Sequence, residues 1–81
     1  MKTFTTKQLK ADKGEIAQIA RQEAIEVVSE NGKAAAKLWF AGEYDGKPFF
    51  YIDGQGPWGP ITGSFASWTL ETAAEEIENF S

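Results

Sequence analysis

Two dipeptides constrain this chain more than anything else in it: Asn31-Gly32 and Asp45-Gly46. Both belong to the small set of pairs that tight hairpin turns demand, because only Gly, and to a lesser degree Asn and Asp, accept the positive φ that such turns require. Between them the apolar residues alternate, with Ala34, Ala36, Leu38 and Phe40 on one face and Lys37 and Trp39 on the other. That is the period of a half-buried strand. A strand closed by a turn at each end takes a partner on each side. Ala24-Ile25-Glu26-Val27-Val28 precedes the first turn, and Pro48-Phe49-Phe50-Tyr51-Ile52, aromatic and β-branched, follows the second. The pattern predicts a three-stranded antiparallel sheet, with Pro48 at the start of the third strand, where a missing N–H is tolerated.

Helical signals stand before and after the strands. In Phe4-Thr5-Thr6-Lys7-Gln8-Leu9, Thr5 serves as N-cap, Gln8 reaches back to complete a capping box, and Phe4 can staple onto Leu9. Leu9, Ile16 and Ala20 then share one stripe with Ile19 beside it, which carries the N-terminal helix to about Gln22. Gly14 interrupts it at a cost of about 1 kcal/mol against Ala, so a bend or two shorter helices is expected. A C-terminal helix opens at Thr69, with Leu70, Ala73, Ala74, Ile77 and Phe80 as its apolar side. The stretch from Asp53 to Gly63 holds Gly54, Gly56, Pro57, Gly59 and Pro60 and reads as a loop. Its glycines satisfy G-x-G-x-x-G, but Pro60 and Gly63 break the helix that would receive a pyrophosphate, and the chain is too short for paired βαβ units. The expected fold is α+β, a single domain over residues 1–81.

Composition then removes whole classes of function. With neither His nor Cys, the chain lacks the commonest general base, the commonest zinc ligands and any thiolate nucleophile. Asp45 and Asp53 lack the spacing of a calcium loop, and the glutamates of the last helix have no His or Arg beside them to tune an acid–base pair. The protein is read as no enzyme, with no catalytic residues, no metal ligands and no cofactor. No apolar run approaches the roughly 18 residues of a membrane span, and the start lacks the apolar stretch of a signal peptide. A cytoplasmic location without membrane contact is the expectation. Charge is divided unevenly: residues 1–40 hold seven bases against five acids, and residues 41–81 hold one base, Lys47, against seven acids, which together make the net charge of −4. Such a division suggests two surfaces with different partners.

Residues 1–40 resemble the N-terminal part of the Phd/YefM family of antitoxins. The likeness is carried by Met1-Lys2-Thr3-Phe4-Thr5-Thr6-Lys7-Gln8-Leu9-Lys10, by Gly14-Glu15-Ile16 opening an apolar helix, by Glu23-Ala24-Ile25-Glu26-Val27-Val28 where the family has a strand, and by Asn31-Gly32-Lys33 leading into Ala34 to Leu38. Family members open with a short strand, continue through helices and then form a hairpin. This chain departs in Lys13, where the family is apolar, in Ala24, where it has proline, and in the acidic Ser29-Glu30. The resemblance implies a homodimer whose first part, residues 1–40, dimerises and binds promoter DNA. Residues 41–81, acidic and aromatic, would then engage a protein.

Site residues follow from these readings. Lys7 and Lys10, one helical turn apart, and Lys33 at the hairpin tip are the candidate phosphate contacts. Phe49 and Tyr51 face away from Phe50 and Ile52, on a side that one helical layer cannot also cover, and are candidates for a partner surface. Trp58, between Pro57 and Gly59, is either an anchor for the partner or a lid on the protein's own core. Glu75, Glu76 and Glu78 crowd the negative end of the last helix dipole, which suits a partner with a basic surface. Trp39 and Trp68 are expected in the core or a dimer interface. Two functions are consistent with this set. One is an antitoxin-like regulator that neutralises a protein partner and represses its own promoter. The other is an acidic inhibitor from a phage or mobile element, of the anti-CRISPR or anti-restriction kind, that blocks a nucleic-acid site on a defence complex.

Overall fold

The computed structural model describes residues 1–81 and orders them as β1 (Lys2–Thr5), α1 (Thr6–Ala11), α2 (Glu15–Gln22), β2 (Ile25–Val28), β3 (Ala35–Tyr44), β4 (Lys47–Gly56), β5 (Gly59–Ala66) and α3 (Glu71–Asn79). The five strands form one sheet in chain order. β1 is parallel to β2, and every later pair is antiparallel. This corrects the expectation of a three-stranded antiparallel sheet that follows an N-terminal helical segment. The middle strands β2, β3 and β4 stand where the turn signals put them, and the difference lies at the two edges.

At the first edge, the residues that lead into the capping box form β1, whose Lys2 to Thr5 align with Ile25 to Val28. Four residues are too few to show a period, and a parallel partner more than twenty positions away leaves no local signal. At the other edge, the Gly/Pro-rich stretch is not a loop but the second half of β4, a two-residue turn at Pro57-Trp58, and β5. Gly54 and Gly56 are there because neighbours need the space. A Cβ on Gly54 would collide with the backbone of Ala35 and Ala36, and one on Gly56 with the carbonyl of Phe80. Glycine inside a strand marks such close approach as readily as it marks a loop.

The N-terminal helix divides as Gly14 suggested. Thr5 accepts the Gln8 N–H at 3.2 Å, and the Gln8 side chain accepts the Thr5 N–H at 2.8 Å, so the capping box is complete. Asp12 ends α1 and caps α2, its carboxylate accepting from the N–H groups of Gly14, Ile16 and Ala17. Gly14 sits between them at φ +119, a conformation that few other residues adopt without strain.

Asp45 and Gly46 both have positive φ, 54 and 77, and close β3 onto β4 with Tyr44 opposite Lys47. Pairing outward from a two-residue turn sets odd-numbered residues against even-numbered ones. The buried residues of both strands are even-numbered, Ala36 and Leu38 on β3 and Phe50 and Ile52 on β4. An extra residue must therefore be absorbed, and a β-bulge at Ala41 does so between the pairs Phe40–Phe50 and Gly42–Phe49.

One core lies between the sheet and the three helices. Ile25, Val27, Ala36, Leu38, Phe50, Ile52 and Ile61 from the strands meet Leu9, Ala17, Ala20, Leu70, Ala73, Ala74 and Ile77 from the helices, all buried in a single cluster. The C-terminal helix buries the apolar side read from its sequence. With every helix on one face, the opposite face of the sheet is open along the long β3–β4 hairpin.

Candidate functional site

On the open face, β3 and β4 set four aromatic rings in a row. Tyr44 lies 6.1 Å from Phe49, Phe49 lies 5.3 Å edge-on to Tyr51, and Tyr51 lies 5.8 Å from Trp39, measured between ring centroids. Lys37 extends the row, its Nζ 5.4 Å above the Trp39 ring, where the ring quadrupole attracts a cation. The bulge at Ala41 makes this row possible, because it returns Tyr44 to the face that Trp39 already occupies. Tyr44 and Tyr51 remain 67% and 43% exposed, so the rings touch each other but are not covered.

The sequence-derived partner residues thus fall in three places. Phe49 and Tyr51 are central to the row. Trp58 is 78% exposed at the β4–β5 turn, at the opposite end of β4 from Phe49, and so does not act as a lid on the core. Glu75, Glu76 and Glu78 lie on α3, across the sheet from the rings. Trp39 is half-buried within the row, and Trp68 is 59% exposed, so neither belongs to the monomer core.

Glu78 serves the fold itself. Its carboxylate accepts the Thr6 hydroxyl at 2.6 Å and the Glu30 N–H at 3.0 Å, tying α3 to the start of α1 and to the β2–β3 turn. The Thr6 hydroxyl, then the Glu30 N–H and the nearby charge of Lys10, hold this carboxyl below its ordinary value of 4.5, against the opposing pull of desolvation. Glu75 and Glu76 are exposed.

The candidate phosphate contacts are exposed too: Lys7 and Lys10 on α1, Lys33 between β2 and β3. However, α1 packs directly on α3, and the β2–β3 turn is held to the end of α3 through Glu30 N–H and through Asn31, whose side chain donates to the Ser81 carbonyl. The basic and acidic surfaces that the charge division suggested are therefore neighbours. No group of three or more carboxylates is close enough to hold a metal ion, and no helix is long and apolar enough to cross a membrane.

Sequence reasoning found two members of the aromatic row and missed Trp39, Tyr44 and Lys37. Alternation had placed Trp39 and Lys37 on the correct face, but not beside Tyr51, because counting from the Asp45-Gly46 turn without the bulge sets Trp39 opposite Ile52. Comparisons with protein-family models, curated proteins and solved structures find no match to this chain.

Proposed function

We propose that the protein is an antitoxin-like regulator that binds and neutralises a protein partner, with the open aromatic face of the sheet as its binding surface. The row of Trp39, Tyr44, Phe49 and Tyr51 carries this reading. Rigid aromatic side chains bury large areas with few rotors to immobilise, which is why they dominate binding hot spots. Support comes also from the order of the first five elements, a short strand, two short helices and a hairpin, which is the order the antitoxin resemblance implies. The partner has a basic surface, drawn to the domain by its net negative field, to which Glu71, Glu75 and Glu76 contribute from the other side of the sheet, and the regulator works in the cytoplasm as a homodimer. Its gene's immediate neighbour is the partner to try. Expressed alone, that product should arrest growth, and co-expression of this protein should restore it. The variant Phe49→Ala with Tyr51→Ala should stay folded by circular dichroism and lose the rescue. A harmless neighbour, or a double variant that rescues as well as the parent, would refute the reading.

One observation favours a second reading, the acidic inhibitor that occupies a nucleic-acid site on a defence complex. Lys7 and Lys10 stand on a helix packed against acidic α3, so the cations available to DNA have carboxylates beside them. Promoter DNA separates the two readings, since only the regulator should retard it at low salt.

A further inference from the structure

The last strand of the sheet is unguarded. Edge strands are ordinarily kept from pairing with other chains by shortness, charge, a bulge or proline. β1, the other edge, is four residues long and begins with Lys2. β5 has eight residues and pairs with β4 without a register break. A quarter of the chain is charged, yet the whole run from Gly54 to Leu70 contains no charged residue. Pro60 is its one guard. Thr62, Gly63 and Ser64 are all exposed.

The groups left free along this edge follow from one hydrogen bond. Ser67 donates its N–H to the Pro48 carbonyl at 3.0 Å, which makes that opposed pair a hydrogen-bonded one. Antiparallel pairs alternate, so Phe65, Gly63, Ile61 and Gly59 bond to β4. Thr62, Ser64 and Ala66 then turn both N–H and C=O outward, and Pro60 turns out its carbonyl alone. This also explains how Pro60 is accommodated, since the N–H it lacks would not have faced β4.

We propose that β5 pairs antiparallel with β5 of a second copy, about a twofold axis at Gly63, joining two five-stranded sheets into one of ten strands. In this register Thr62 faces Ser64 of the second copy, and Pro60 faces Ala66 of the second copy. Every outward-turned group then meets another, and only the donor that Pro60 lacks is missing. Sliding the axis to Thr62 or Ser64 leaves outward groups at the strand ends without partners. The same register brings Trp58 level with Trp68 of the second copy, so the two most exposed tryptophans of each chain are paired off at the ends of the joint. Strand pairing alone covers less than the roughly 800 Å² per partner of a standard interface, and each tryptophan can bury on the order of 150–250 Å² more. On β4, Asp53 lies opposite Thr62, so across the joint its row continues through Thr62 to Ser64 and Tyr51 of the second copy and meets no charge. Self-complementarity of register, of uncharged surface and of tryptophan placement identifies a second copy as the occupant. The joint does not depend on the antitoxin reading, and it leaves both aromatic faces open.

Sedimentation equilibrium over a range of concentrations tests this. The parent should approach twice its 8.9 kDa chain mass. Thr62→Lys with Ser64→Lys sets lysine against lysine across the axis, at positions whose side chains are exposed in the monomer. That variant should keep the parent's circular dichroism and sediment as a monomer, and so should Thr62→Glu with Ser64→Glu. Mixing the lysine and glutamate variants should restore the dimer. A parent that remains at 8.9 kDa at its highest soluble concentration, whether or not an extended peptide from another protein binds β5, overturns the proposal. So does a lysine variant that still dimerises, or a mixture that stays monomeric.

Discussion

Glu78 shows how one side chain's role changes when its neighbours are known. Along the sequence it is one of three glutamates crowding the unfavourable end of a helix dipole. In the fold it accepts hydrogen bonds from buried Thr6 and from Glu30, and it joins three segments that are distant in sequence. Replacing it with Ala leaves the Thr6 hydroxyl buried without a partner, which should cost about 2 kcal/mol and is measurable by urea denaturation. The carboxyl is held below 4.5, so the unfolded chain takes up its proton first. Its stabilising contribution is therefore present above about pH 4.5 and is lost as the pH falls through the lower native value. Thermal melts should show stability falling more steeply on acidification in the parent than in Glu78→Gln. Equal slopes would mean that Glu78 does not drive the acid limb.

Among the elements, the β3–β4 hairpin carries the sharpest structural prediction. The bulge at Ala41 reconciles a two-residue turn with buried residues of like parity on the two strands. Deleting Ala41 therefore keeps every observed pair, from Phe40–Phe50 through Gly42–Phe49 to Tyr44–Lys47, in an unbulged ladder. The deletion should cost about 1 kcal/mol or less, the scale of a surface change, and should leave the Tyr44 and Trp39 rings on one face. Deleting Trp39 instead also closes the bulge and leaves Leu38 opposite Ile52, but it puts Ala41 in the core-facing place of Phe40 and turns Phe40 onto the open face, so this variant should melt well below the Ala41 deletion, as a large-to-small change at the core does. Comparable melting temperatures for the two deletions would show that parity does not govern this hairpin. On α3, Glu75→Lys with Glu76→Lys should leave the domain folded, because both side chains are exposed. It should also slow association with a basic partner at low salt, an effect that stopped-flow fluorescence can follow.

At the scale of the molecule, charge limits what the three lysines can do. Lys7, Lys10 and Lys33 are carried by a chain of net charge −4, on elements tied to the acidic helix, so any attraction to DNA has to overcome repulsion from the same side of the domain. Binding to promoter DNA should be weak and strongly salt-dependent. Replacing the three with Ala should lower affinity and flatten the plot of log K against log salt. No retardation of promoter DNA by the parent at low salt would favour the inhibitor reading.

Whatever is encoded within a few residues was determined by the sequence alone. The Thr5–Gln8 capping box, the break at Gly14, the turn at Asp45-Gly46, strands β2 to β4, the apolar side of α3, and the outward aim of Phe49 and Tyr51 all follow from hydrogen bonds, dihedral preferences or periods that close locally. The tertiary structure decided the features whose cause lies far along the chain. β1 is a strand because Ile25 to Val28 offer it an edge. Gly54 and Gly56 belong to a strand because Ala35, Ala36 and Phe80 approach too closely for any side chain. Tyr44 joins Trp39 through a bulge that becomes necessary only when two strands with fixed faces meet across a fixed turn. Glycine and proline report that a backbone is unusual at a position, and only the neighbours decide whether it bends away from the sheet or runs inside it.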